Sequence, residues 1–141
     1  MRVPPPVVVL GVVGNDIHVV ANRLLENCLR EAGFNAINLG VNTMPEEFAD
    51  AALECGADAI LIGSLNGEAA HWSRGLRRLF VERGMPDMLI YLGGNLVMGD
   101  LPAKEVERVL EGAGVDHVFQ GAIDFDDMIN KLKENLARGR S

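Results

Sequence analysis

"VVVLGVVGNDIHVVANRLLENCLREAG" spans residues 7–33, and its two halves obey different periods. Residues 7–13, VVVLGVV, are a continuous and mostly β-branched run. A strand covered on both faces reads this way, because neither face is left for polar residues. From residue 17 to residue 33 the spacing changes. Val20, Leu24 and Cys28 recur every four residues, and Gly33 offers a stop. The hand-over is Gly14-Asn15-Asp16-Ile17-His18, which puts a carboxylate and an imidazole two residues apart.

Working outward, the same strand-then-helix unit repeats to the end of the chain. NAINLG (35–40) predicts a second strand and TMPEEFADAALECG (43–56) a helix, with Thr43 as its cap and Pro45 near its first turn. ADAILIG (57–63) predicts the third strand, and a helix follows from about 69 to 83. DMLIYLGG (87–94) is the fourth strand and PAKEVERVLEGAG (102–114) a helix opened by Pro102. DHVFQ (116–120) and DFDDMINKLKENLARG (124–139) complete the alternation. Strict alternation implies a parallel sheet covered on both faces. The expected fold is α/β, a flavodoxin-like (Rossmann-type) doubly wound five-stranded parallel sheet in the order 2-1-3-4-5. Ligands of such sheets bind beyond the carboxyl ends of the strands, where the order reverses between strands 1 and 3.

The 141 residues predict one domain over 1–141, with an N-terminal arm at 1–6 and a C-terminal tail at 138–141. Apolar content of 48% with 23% charged residues is globular. A net charge of −7 argues against nucleic acid and anionic membranes as partners. The longest apolar stretch, 7–13, is too short to cross a bilayer. MRVPPPVVVL lacks a signal-peptide cleavage pattern. Cys28 and Cys55 have no CxxC spacing and read as reduced core thiols of a cytoplasmic protein.

Of the four loops after strands 1, 3, 4 and 5, three are rich in glycine and asparagine. They are Gly14-Asn15-Asp16-Ile17-His18, Gly63-Ser64-Leu65-Asn66-Gly67 and Gly93-Gly94-Asn95-Leu96-Val97-Met98-Gly99, and the fourth is Gln120-Gly121. Glycine lets a ligand approach the backbone closely. The loop after the fourth strand runs about nine residues, long against the usual two to six. A sizeable ligand lying over the sheet explains this better than a small anion.

His18 has two readings. Asn15 or Asp16 could cap the helix, with His18 a bystander in its first turn. Alternatively, the positive helix end disfavours imidazolium, and a neutral imidazole is a good metal ligand. Asp16 could then accept the other ring N–H and set the tautomer. One His with no second His or Cys nearby cannot hold a bare zinc ion. A metal here must bring its own ligands, and haem or a corrinoid would. His71-Trp72 reads as a partner contact, His117 as a structural histidine, and RRLFVER (77–83) as a solvated helix face.

Asp16-x-His18-x-x-Ala21 resembles the DxHxxG signature of cobalamin-binding domains. Gly63-Ser64-Leu65 falls where those domains carry SxL, and Gly93-Gly94 matches their GG. VVLGVVGNDIHVVANRLL, AGFNAINLGV, GSLNG and YLGGNLVMG resemble the small, cobalamin-binding subunit of glutamate mutase (methylaspartate mutase). The similarity runs over roughly 7–136. It implies adenosylcobalamin bound base-off, with His18 as the lower axial ligand of cobalt and Asp16 bonded to its other nitrogen. It implies a nucleotide tail between strands 1 and 3, against Gly63, Ser64, Leu65, the 93–99 segment and Gly121. Asn15, Ile17, Val19 and Ala21 complete the implied contacts.

The chain departs from the pattern twice. Ala21 stands where the family has Gly, and Gly63 where it has the first Ser. By strand alternation, Ser64 should face the other way. The expectation is weaker cofactor binding, by on the order of 1 kcal/mol for a lost hydrogen bond and up to about 3 if a buried group stays unpaired.

The strand-end loops carry few charged groups, so no site for an amino-acid substrate is evident. The resemblance therefore implies half an enzyme. A larger barrel-type subunit would hold the substrate in an assembly of two copies of each chain, and glutamate would rearrange to 3-methylaspartate by a radical mechanism. The chain would be inactive alone. The alternatives are a corrinoid carrier for methyl transfer and a B12-binding regulatory module. Only about six residues precede the first strand, where carriers place a helical bundle. A receiver domain would want Asp at the end of strand 3, where Gly63-Ser64 stands, and a flavodoxin would want a Ser/Thr-rich phosphate loop in place of GNDIH.

Overall fold

A computed structural model describes residues 5–13, 19–64, 75–94, 100–120 and 124–139, with the side chains of 19–21 and 139 outside that description. The strands are β1 (Val7–Val12), β2 (Asn35–Asn38), β3 (Ala59–Ser64), β4 (Leu89–Gly94) and β5 (His117–Gln120). The helices are α1 (Val19–Glu31), α2 (Pro45–Cys55), α3 (Leu76–Glu82), α4 (Ala103–Gly112) and α5 (Phe125–Gly139). The sheet is parallel throughout, in the order β2-β1-β3-β4-β5, as the alternation predicts.

The apolar strands need two covers, and the helices supply them. On one face Val9, Val13, Ile60, Ile62, Ile90 and Leu92 pack with α2, α3 and α4 through Phe48, Leu76, Phe80, Val106 and Leu110. On the other, Val8, Leu10, Leu61 and Tyr91 pack with α1 and α5 through Leu29, Met128, Ile129 and Leu132. Val8, Val9 and Leu10 are all fully buried, which is why residues 7–13 show no polar alternation. Gly11 is required by proximity. A Cβ there would lie 3.1 Å from the Phe48 ring and 3.3 Å from Thr43 Oγ1.

Several sequence expectations need correction. Thr43 does not cap α2. Its hydroxyl donates to the Gly40 carbonyl at 3.3 Å, and the cap is Met44, whose N–H donates to Glu47 Oε1 at 3.3 Å. The register explains this, since the Thr43 N–H is taken by the Val12 carbonyl and the residue stays attached to β1. Cys55 is exposed on the last turn of α2, while Cys28 is partly buried against the α1–α5 core, so only one of the two is a core thiol. Arg138 belongs to α5, not to a tail.

RRLFVER is a solvated face at Arg78, Val81 and Glu82, where Arg78 pairs with Glu82 at 3.3 Å in the open. Arg77 instead ties the amino edge of the sheet together. Its guanidinium donates to the Gly114, Pro86 and Met88 carbonyls and to Asp116 Oδ2. Asp116 Oδ2 also accepts the Ile90 N–H at 2.8 Å, so one bonded group joins α3, β4 and the entry to β5. Gly114, at φ +108°, presses on the Arg77 stem, and a Cβ there would come within 2.5 Å of Arg77 Cβ. Arg83 pairs with Asp50 and draws α3 to α2.

Candidate cofactor-binding site

Because every strand is parallel, all five end on the same edge of the sheet. The register there aligns Val12, Gly63, Gly93 and Phe119 in one row across β1, β3, β4 and β5. Leu61 and Tyr91 lie two residues earlier and face α1 and α5, so alternation puts the missing side chains of Gly63 and Gly93 on that face. The result is a notch two strands wide, with Val12 and Phe119 as flanks and Leu61 and Tyr91 as its lower wall. A Cβ on Gly63 would meet only Val12 Cγ2 at 3.5 Å and the Gly11 carbonyl at 3.8 Å. Among the described residues, nothing closer than these two atoms borders the space that a Gly63 side chain would take.

Ser64, one residue on, shares the opposite face with Ile60 and Ile62. It is fully buried, and among the described residues its Oγ has no hydrogen-bond partner. A buried hydroxyl left unpaired costs about 1–3 kcal/mol. Such groups are rare enough in folded proteins to mark an incomplete site. Among the described residues the end of β3 therefore combines an open surface on one face with an unsatisfied donor and acceptor on the other. That combination suits a large ligand that brings both apolar bulk and polar groups.

The other predicted site residues divide in two. Val19 and Ala21 lie on α1, and Gly94 ends β4 at φ +128°, a conformation favoured by glycine. Asn15, Asp16, Ile17, His18, Leu65, Asn95, Leu96, Val97, Met98, Gly99 and Gly121 lie outside the described residues, as do His71 and Trp72. Among the described residues no group of three or more His, Cys, Asp or Glu side chains could hold a metal ion.

Two residues that the sequence reading passed over also stand at this edge. Asn22 on α1 donates through Nδ2 to Asn38 Oδ1 at 2.7 Å. Asn38 Nδ2 donates to Glu26 Oε1 at 2.9 Å. With Arg23, Leu39, Gly40 and Val41 they line a cleft of about 420 Å³ beside the exit of β2. The available signal was Asn22 itself, a polar residue on a helix one turn beyond His18.

Below the notch, Tyr91 is buried, and its hydroxyl accepts from Asn135 Nδ2. Burial raises the Tyr91 pKa above its usual value, aided by Asp116 and Glu134 and opposed by the Asn135 bond. The phenol therefore stays neutral at physiological pH. His117 stands edge-on to the Tyr91 ring at 4.9 Å, with Nε2 2.9 Å from Asn135 Nδ2, a structural placement away from the strand ends.

Comparison with known proteins adds what the fold cannot. The B12 binding domain family matches residues 6–124. The glutamate mutase sigma subunit of Carboxydothermus hydrogenoformans is 46% identical over 128 residues, covering 91% of this chain and 93% of that protein. The glutamate mutase sigma subunit of Clostridium cochlearium is 40% identical over 129 residues, covering 92% and 94%. Among solved structures, a cobalamin-binding protein from Desulfitobacterium hafniense superposes with a TM-score of 0.75 at 17% identity, over 93% of this chain and 59% of that one. The signal receiver domain of NarL from Mycobacterium tuberculosis superposes with a TM-score of 0.63 at 13% identity, over 94% and 97%. One backbone thus serves proteins of different purpose, and the sequence relationship carries the distinction.

Proposed function

The chain belongs to the B12-binding domain family, in the branch of the glutamate mutase sigma subunits, and from that premise we propose that it binds adenosylcobalamin for the rearrangement of glutamate to 3-methylaspartate. It is the cofactor-binding part of an isomerase and works with a separate catalytic subunit. The reading takes the whole chain, 1–141, as one domain. Its partner is a larger barrel-type subunit that holds the substrate, with two copies of each chain in the assembly, in the cytoplasm. Among the described residues no helix is long and apolar enough to cross a membrane.

The observation that carries the reading is the notch at Gly63 and Gly93, side by side in register at the carboxyl end of the sheet. A Cβ on Gly63 would meet no described atom closer than Val12 Cγ2 at 3.5 Å, and this open space supports a flat nucleotide base lying there. In this reading His18 would hold the cofactor's cobalt through an imidazole nitrogen. Asp16 accepts the other ring N–H and keeps the imidazole in the ligating tautomer. Gly63, Ser64, Gly93 and Gly94 admit the tail, with Leu65, residues 95–99 and Gly121 around it. Asn15, Ile17, Val19 and Ala21 contribute the remaining contacts near His18. When bound, the cofactor supplies the radical chemistry, and the protein supplies orientation and shielding from water.

Electron paramagnetic resonance of the chain with cob(II)alamin tests the axial-ligand reading. The expected spectrum carries nitrogen coupling from an imidazole and loses it in His18→Ala. Benzimidazole coupling in the unaltered chain would overturn it. For the reaction, the chain is mixed with a candidate large subunit and adenosylcobalamin and assayed for 3-methylaspartate. Methyl transfer from methylcobalamin, with no mutase activity, would assign the chain to the carriers instead.

A further inference from the structure

Asn22, Asn38 and Gly40 form a bonded chain between α1 and the exit of β2. Asn38 Oδ1 accepts from the Gly40 N–H at 2.9 Å as well as from Asn22 Nδ2. A backbone N–H can only donate, so the oxygen end of the Asn38 amide is fixed, and its Nδ2 must face the acceptor Glu26. Glu26 in turn pairs with Arg30 at 2.7 Å. Gly40 is itself attached to β1, for its carbonyl accepts the Val12 N–H at 2.9 Å, and the Leu39 N–H donates to Leu10 at 2.8 Å. Through these bonds α1 is fastened to the backbone at the end of β1. Asn22 is 8% exposed, so water competes little for its amide.

The consequence is positional. Only residues 13–18 connect Val12 to Val19, and His18 is the last of them. Asn22 lies four residues beyond His18, about one helical turn. A bond that sets α1 at Asn22 against the exit of β1 fixes both ends of the segment bearing His18. Metal ligation depends on such support, because a ligand slightly misplaced is a poor ligand. We propose that Asn22, held by Asn38, is a positioning residue for His18, setting the height and rotation of α1 so that the imidazole meets the cobalt. This inference rests on the axial-ligand reading above.

A double-mutant cycle on the full chain tests it, with cob(II)alamin as the probe. The set is the unaltered chain, Asn22→Ala, His18→Gly and the double variant. The readouts are the dissociation constant from absorbance, the nitrogen coupling, and thermal unfolding without cofactor. Asn22→Ala should weaken binding about tenfold and reduce the imidazole coupling. In the His18→Gly background the same substitution should change affinity less than about twofold, because the residue it acts through is gone. Equal losses in both backgrounds would make Asn22 merely structural and overturn the proposal. Absence of imidazole coupling in the unaltered chain defeats the axial-ligand reading first, and this proposal with it. Should Asn22→Ala fail to fold, Asn22→Ser carries the same cycle with the same two outcomes.

Discussion

The two ends of the sheet are built on opposite terms. At the amino end polar groups find partners within the chain. Arg77 is bonded to three carbonyls and Asp116, and the Val7 N–H donates to Asp58 Oδ2 at 2.8 Å. Glycine there makes room for the protein itself, as Gly114 does for the Arg77 stem. At the carboxyl end Ser64 has a buried hydroxyl without a described partner, and Gly63 makes room that no described residue takes. Among the described residues one end is closed by its own bonds, and the other is the end at which we propose the ligand binds. The same residue type therefore means opposite things, and only its neighbours tell which.

The comparison breaks most visibly at Gly114. Gly114→Ala combines a strained φ with a steric overlap, and should cost about 3 kcal/mol or more in urea unfolding. The affinity of the folded fraction for cobalamin should stay unchanged. A large loss of affinity would mean that the closed end contributes to binding after all. Gly11→Ala presses on the Phe48 ring and should cost about 1–2 kcal/mol of stability, read in the same experiment. A neutral result there would show that α2 can move off β1.

Two smaller effects sharpen the open end. Ser64→Ala removes a buried hydroxyl with no partner among the described residues, so the cofactor-free chain should gain roughly 1 kcal/mol in stability. Destabilisation would show that the hydroxyl already has a partner in the free protein. Gly63→Ser fills the notch only with a Cβ in ordinary contact with Val12 and a hydroxyl. It should leave stability within about 0.5 kcal/mol and tighten cobalamin binding by about fivefold, near 1 kcal/mol. Cobinamide, which lacks the tail, should gain nothing. Equal gains for both ligands would place the hydroxyl's effect outside the tail site.

Much of the fold was legible because buried parallel strands announce themselves. Residues 7–13 and 59–63 are apolar without alternation, and Gly33 and Gly56 end helices at positive φ. Of the candidate site, the glycines at 63 and 93 were legible as strand-end residues, and the structure sets them side by side; the Asp16-x-His18 pair lies outside the described residues. The role of Arg77 was not legible. Its partners lie at positions 86, 88, 114 and 116, and no helical period relates them to residue 77. Thr43 was misread because a Thr ahead of Pro-Glu-Glu is a good local cap, and a tertiary bond from its N–H to Val12 outweighed that preference. Asn22 and Asn38 were passed over because each alone is an ordinary polar residue, and their meaning lies in the bond between them.

By itself the sequence determined the elements, their order and the end of the sheet where chemistry belongs, because periodicity and turn residues are local properties of the chain. The tertiary structure decided which glycines are filled and which are open, which arginine is buried in bonds, and how α1 is fastened beside His18. Those outcomes depend on packing and hydrogen bonds between residues far apart in sequence, and neither leaves a local trace.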